Sequence, residues 1–136
     1  MSAPFRVSRR VDFADTDMAG IIHFSNYFRY MEYAEVEFLR SKGLSVAWPQ
    51  THGERFGFPR VAAACDYRRP VRFDDVVEIA VRIARIGTKS VTYEFDFTCR
   101  GQEIAHGKMT AAYVKETNGH ITAVEIPADL RARLET

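Results

Sequence analysis

Two carboxylates, Asp15 and Asp17, stand close together in the stretch Phe13-Ala14-Asp15-Thr16-Asp17-Met18-Ala19-Gly20-Ile21-Ile22-His23-Phe24-Ser25-Asn26-Tyr27. A carboxylate in such a place can serve as a nucleophile or as a general base. If a helix starts just beyond it, the unpaired N–H groups and positive dipole end of that helix favour an oxyanion. Other chemistries are excluded by spacing. An EF-hand loop opening at Asp15 and Asp17 would need a ligand at Ala19 and a Glu at Asn26. A phosphoryl-transfer site of the DxDxT kind would want Thr or Val at Ala19. The glycine patterns of the dinucleotide fold and the P-loop are absent, as are a GxSxG elbow and an HExxH pair. His23, His52, His106 and His120 show no metal-ligand spacing, and Cys65 and Cys99 form no CxxC pair.

The elements that must position these residues are legible from periodicity. Phe5, Val7, Val11 and Phe13 alternate with polar residues and predict a half-buried strand. Residues Ala14 to Gly20 are turn-like. Ser25-Asn26 offers an N-cap, and the stretch to Lys42 lacks Gly and Pro until Gly43 stops it. Tyr27, Tyr30, Met31, Ala34 and Phe38 make a wide apolar stripe on this helix of about 17 residues, or roughly 26 Å. Arg29, Glu37 and Arg40 fall on its far side. The region from Leu44 to Pro59 reads as a loop with a short helical turn.

Strand patterns then dominate, at Val61–Tyr67, Val77–Ile83, Val91–Cys99 and Ala105–Tyr113, with turns at Gly87–Ser90, Arg100-Gly101-Gln102 and Asn118-Gly119. Ala105, Gly107 and Ala111 make one strand face small enough for a close neighbour. A short strand and a helical tail led by Asp129 finish the chain. Strands segregated from one long helix imply an α+β domain with the helix laid across a curved antiparallel sheet.

Length and composition set the frame. A chain of 136 residues suits one domain over residues 1–136. With 46% hydrophobic and 12% aromatic residues it can bury a sizeable core, which rules out wholesale disorder. A formal net charge of +1 gives no basic excess for nucleic acid. No apolar run approaches the ~20 residues of a membrane span, and the first residues hold no apolar signal segment. The expectation is a cytoplasmic domain with no nucleic-acid or membrane partner.

The residues Phe13, Asp15-Thr16-Asp17, Gly20, Ile21-Ile22, His23-Phe24 and Asn26-Tyr27, with Glu32 and Ala34 along the helix, resemble the signature of the hotdog-fold acyl-CoA thioesterases. The branch is the 4-hydroxybenzoyl-CoA thioesterase family. The resemblance runs from about residue 6 to 126 and includes Ile86-Gly87-Thr88-Lys89-Ser90-Val91 as a strand-turn-strand element. It implies the hotdog fold, a long central helix wrapped by a curved antiparallel sheet. It also implies hydrolysis of an acyl-CoA thioester to free acid and coenzyme A, with no metal or other cofactor.

By the same resemblance Asp17 is the catalytic carboxylate, as nucleophile or general base, and the Phe24 amide polarises the thioester carbonyl. Substrate binding falls to His23, Tyr27 and Lys89, the last toward a coenzyme A phosphate. Position 23, often Tyr or Trp in benzoyl-type members, is His here. The family places its active site between subunits, so a homodimer or homotetramer is expected.

Each assignment has a plainer rival. Asp17 could be a turn or cap residue, and Asp15 reads as one that holds the turn. Glu32 and Glu35 are alternative helix-borne bases or ordinary surface carboxylates. Arg68, Arg69 and Arg72 are either phosphate contacts or solvated and subunit-contact charges. Cys65 and Cys99 fall on apolar strand phases as inert core thiols. Among activities, a hotdog hydratase would place Asp and His four residues apart, whereas five residues separate Asp17 from His23. A non-catalytic acyl-CoA or acyl-carrier binding module would gain nothing from Asp17.

Overall fold

The computed structural model describes residues 4–46, 50–51 and 53–136. Strand β1 (Phe5–Arg10) leads through a 3-10 turn at Phe13–Asp15 to helix α1 (Asn26–Ser41). Strands β2 (Gln50–Thr51), β3 (Glu54–Gly57), β4 (Arg60–Tyr67), β5 (Val76–Ile86), β6 (Ser90–Cys99), β7 (Gln102–Ala112), β8 (Val114–Thr117) and β9 (His120–Ala123) follow. Helix α2 (Ala128–Glu135) closes the order.

Five antiparallel strands form the main sheet in the order β1-β5-β6-β7-β4. Helix α1 lies on one face. Its Tyr27, Tyr30, Met31, Ala34 and Phe38 join one core with Val77, Ile79 and Val81 of β5, Tyr93, Phe95 and Phe97 of β6, and Ala105 and Met109 of β7. Burying each large apolar side chain of this kind contributes about 1.5–3 kcal/mol. Strand β6 alternates buried and half-buried residues along its whole length, so register is tightly specified there. This is the helix-on-sheet layout that the hotdog resemblance implies.

Two glycines set distances. A Cβ on Gly107 would lie 2.6 Å from Met31 Sδ, so the small-residue face of β7 makes room for the Met31 side chain of α1. Gly43, at φ +73°, ends α1, while the Leu44 N–H reaches back to the Leu39 carbonyl at 2.8 Å. The turns at Arg100-Gly101 and Asn118-Gly119 have positive φ at both residues, as tight hairpins require.

The sequence reading needs three corrections. The 44–59 stretch is not a plain loop, because β2 and β3 pair with each other and β3 pairs with β8, giving a second sheet in the order β2-β3-β8-β9. His52 and Pro49 of that stretch lie outside the described residues. Phe13 does not continue the buried phase of β1. It is 76% exposed and meets Phe73 edge-on at 5.7 Å. Ser25 makes no side-chain cap, since its hydroxyl is taken by His23 Nδ1 at 2.8 Å.

Candidate active site

The loop between β1 and α1 is held by backbone pairing at both ends. The Asp17 N–H donates to the Ile21 carbonyl and the Gly20 N–H to the Asp17 carbonyl, both at 2.9 Å, closing a tight turn around Met18 and Ala19. Ile22 is pinned to the 70–75 loop by its N–H on the Val71 carbonyl at 2.8 Å.

Asp15 ties this loop to the helix. Its Oδ2 accepts from the Tyr30 hydroxyl at 2.7 Å, and its carbonyl accepts from the His23 N–H and from Asn26 Nδ2. Burial first, and the bond to Asp15 second, raise the Tyr30 phenol above its ordinary range. Asp15 thus positions its neighbours through Oδ2 and its backbone carbonyl.

Asp17 is half-buried and engaged on one side only. Its Oδ1 accepts from the Ala19 N–H at 2.8 Å, whereas Oδ2 has no hydrogen-bond partner among the described residues. Asp17 lines an open cleft of about 530 Å³ together with Ile21, Ile22, Phe24, Tyr27, Tyr67 and the Arg68-Arg69-Pro70 segment.

At the helix start, the N–H groups of Ser25, Asn26, Tyr27 and Phe28 all find acceptors within the chain. The Phe24 N–H finds none among the described residues. The cleft therefore combines an oxygen nucleophile or base with an orphan backbone donor at the positive end of a helix. That is the pairing needed to attack a carbonyl and hold the oxyanion that results.

The aromatic wall is built from three rings. Tyr67 meets Tyr27 at 5.1 Å and Phe24 at 6.4 Å, both edge-on, and its hydroxyl donates to the Phe24 carbonyl at 3.3 Å. Tyr27 is buried, and burial followed by the nearby Cys65 and Tyr67 pushes its phenol up to about 12. The Cys65 thiol is pushed up to about 11, chiefly by burial. It is half-buried and Cys99 buried, and both are unpaired thiols.

The structure brings together Asp17, Phe24 and Tyr27 of the sequence-derived set. His23 is exposed and stacks on Phe24 at 4.7 Å, with Nδ1 accepting from the Ser25 N–H, but it does not line the cleft. Lys89 is exposed in the β5–β6 turn, where its carbonyl accepts from the Tyr113 N–H at 2.7 Å. Phe97, which touches Tyr27 at 5.6 Å, lies eight residues farther along β6. At the rise of an extended strand, roughly 26 Å of chain separates Lys89 from Phe97, so Lys89 lies at the far end of β6 from the cleft.

Glu32 is exposed and Glu35 buried, and neither lines the cleft. Arg68 pairs with Glu103, and Arg72 Nη1 reaches the Gly20 carbonyl at 3.4 Å. Arg69 lines the cleft with no acidic partner among the described residues. Tyr67 is the residue that sequence reasoning did not assign to the site. It read as the last member of a strand alternation, and only the pairing of the 70–75 loop with Ile21 and Ile22 brings it to the cleft.

Comparison with known proteins identifies the family. The family model of the thioesterase-like superfamily matches residues 11–134. A 1,4-dihydroxy-2-naphthoyl-CoA hydrolase of Prochlorococcus marinus is 30% identical over 122 residues, covering 85% of this chain and 81% of that protein. A 4-hydroxybenzoyl-CoA thioesterase of Pseudomonas is 28% identical over 136 residues, covering 95% and 96%. Among solved structures, a gentisyl-coenzyme A thioesterase superposes with a TM-score of 0.82 at 30% identity, covering 96% of this chain and 99% of its own.

Proposed function

The chain belongs to the thioesterase-like superfamily, and from that premise we propose how it hydrolyses an acyl-CoA thioester and which residues do the work. It is a hotdog-fold thioester hydrolase acting on acyl-CoA. The observation that carries the mechanistic reading is one cleft lined by both Asp17, whose Oδ2 has no partner among the described residues, and Phe24, whose N–H has none there either.

The thioester carbonyl oxygen sits on the Phe24 amide, which takes up negative charge as the tetrahedral intermediate forms. In one route Asp17 Oδ2 attacks the carbonyl carbon and expels the thiolate of coenzyme A. The resulting mixed anhydride is then cleaved by water. In the other route Asp17 takes a proton from a water, which attacks directly. The bond from the Ala19 amide to Oδ1 holds the carboxylate in place for either route. Arg69 and Lys89 supply cations for the phosphates of coenzyme A, and His23 flanks the acyl entrance beside Phe24.

Lys89 is too far from Asp17 in one chain, so it serves the cleft of a second copy. Strand β4 supports such an assembly. It ends the main sheet, and Val61 and Tyr67 on it are 64% and 46% exposed. The assembly is a homodimer or a homotetramer. Among the described residues no helix is long and apolar enough to cross a membrane, and an acyl-CoA substrate sets the enzyme in the cytoplasm.

The test is thiol release, followed with Ellman's reagent, over aromatic and aliphatic acyl-CoAs. Turnover of at least one class is expected. Saturable binding without release overturns the mechanism in favour of a binding module. Light scattering at micromolar concentration is expected to show a dimer or larger, and a fully active monomer overturns the shared site.

A further inference from the structure

The turn that joins β5 to β6 is braced from outside as the other tight hairpin turns are not. It is closed internally by the Gly87 N–H on the Ser90 carbonyl at 2.7 Å. The carbonyls from Ile86 to Lys89 are then all taken by groups from the end of the chain and from the residue after β7. Arg131 of α2 donates through Nη1 to the Ile86 carbonyl at 3.3 Å and through Nη2 to the Gly87 carbonyl at 2.7 Å. The Ile126 N–H reaches the Thr88 carbonyl at 2.9 Å, and the Tyr113 N–H reaches that of Lys89 at 2.7 Å. Among the described residues, the carbonyls of Arg100, Gly101, Asn118 and Gly119 accept nothing from outside their own hairpins.

Such bracing is more than the sheet requires, since the outward carbonyls of a surface turn can be satisfied by water. Here a half-buried guanidinium is committed to two neutral carbonyls and pairs with no carboxylate among the described residues. Its planar fork suits two adjacent acceptors better than the point charge of an ammonium would. Of the eight residues of α2 only Leu134 is buried, so the helix adds little to the core. What the brace holds still is the turn that carries Lys89, whose side chain is exposed. A cation on a fixed turn has less freedom to lose on binding than one on a loose turn, and so keeps more affinity.

We propose that Arg131 is a positioning residue for coenzyme A binding: by fixing the Gly87–Ser90 turn it holds Lys89 where the phosphates of the substrate reach it. This rests on the reading of Lys89 as a phosphate contact. Arg131 itself touches no substrate and acts through the Ile86 and Gly87 carbonyls. Helix α2 thereby serves substrate binding from the end of the chain, with Ile126 and Tyr113 completing the same support.

The experiment measures kcat and KM by thiol release at low salt, on an acyl-CoA that the wild type turns over and on the matching S-acyl pantetheine, which lacks the phosphates of coenzyme A. The wild type is compared with Lys89→Ala, Arg131→Met and the double variant. Arg131→Met keeps an apolar stem and removes the fork. It is expected to raise KM for the acyl-CoA about two- to threefold with kcat little changed, and to lower the preference for acyl-CoA over acyl-pantetheine by the same factor. In the Lys89→Ala background the same substitution is expected to add little, because its effect runs through Lys89. Arg131→Lys keeps a donor and is expected to fall between the wild type and Arg131→Met; if Arg131→Met does not fold, the shift in Arg131→Lys decides. An unchanged KM beside a raised one in Lys89→Ala overturns the proposal, as does full additivity of the two substitutions. So does an equal loss on both thioesters, since that reports a packing role. If Lys89→Ala itself leaves KM unchanged, the Lys89 reading falls and this inference with it.

Discussion

Helix α1 and the loop before it carry two carboxylates in opposite circumstances. Asp17 is half-buried on the loop, with one oxygen held by the Ala19 amide and the other free toward an open cleft. Glu35 is 1% exposed in the middle of the helix, with Oε1 on Arg60 of β4 and Oε2 sealed without a partner. Burial raises the Glu35 carboxyl above its ordinary value, and the Arg60 guanidinium opposes that shift in part. Tyr93 beside it is raised too, first by burial and then by Glu35. A perturbed, buried carboxylate is often the first candidate for catalysis. Here the perturbed group faces no cleft, and the group with an open path and an orphan amide nearby is Asp17. Access and a complementary donor decide which carboxylate can do chemistry.

The largest expected effect breaks this comparison if it fails. Asp17→Asn keeps shape but removes the charge and the attacking electron pair. Loss of a general base costs about 10²–10⁴-fold, and loss of a nucleophile can cost more. A fall in kcat of at least about a hundredfold is expected by thiol release, with the fold retained by circular dichroism. Retention of more than about a tenth of wild-type kcat would transfer the role to a helix glutamate. A single turnover in ¹⁸O-water then sharpens the result, because label in Asp17 itself requires the anhydride route.

The contrast between the two carboxylates also shows what a sequence can reveal. The loop that carries Asp17 was legible because its signals are local, whereas the role expected of Asp17 came from the family resemblance. The strand pattern before it, Gly20 and the N-cap expected at Ser25-Asn26 all lie within about a dozen residues of it. The helix ended within a residue or two of its expected bounds, since Gly43 acts on its own turn. Glu35 was legible as a helix residue but not as a buried one, because its partner Arg60 is 25 positions away. Tyr67 was hidden for the same reason. The second sheet was missed because β2 and β3 are only two and four residues long and depend on β8 for pairing. Local periodicity carries no information about such partners.

Lys89 tests the proposal that the turn of one copy serves the cleft of another. An exposed cation facing phosphate is a screened, modest interaction. Lys89→Ala is expected to raise KM for acyl-CoA about two- to fivefold at low salt while kcat changes little, the pattern of lost uniform binding. The effect should shrink as ionic strength rises. An unchanged KM at low salt removes Lys89 from the site and weakens the case for a cleft shared between copies.

The smallest effect concerns Glu35, and it lies in stability rather than rate. Its carboxyl is raised in the folded protein, with burial the leading cause, from an ordinary value of 4.5. A group raised on folding contributes stability that is fully present below its unfolded value and is lost as pH rises through the folded value. The wild type should therefore lose stability through Glu35 as pH climbs above about 4.5. Glu35→Gln cannot ionise and lacks that loss. It also leaves Arg60 unpaired, but that guanidinium is 32% exposed and can turn to water, so its contribution is nearly constant with pH. The difference in thermal midpoint, Glu35→Gln minus wild type, is expected to become more positive as pH is raised from 4 toward 7. Thiol release at neutral pH should stay within about twofold of wild type, because Glu35 does not line the cleft. A flat difference across that range, or a fall in kcat comparable to that of Asp17→Asn, would show that the two carboxylates are not separated as the structure places them.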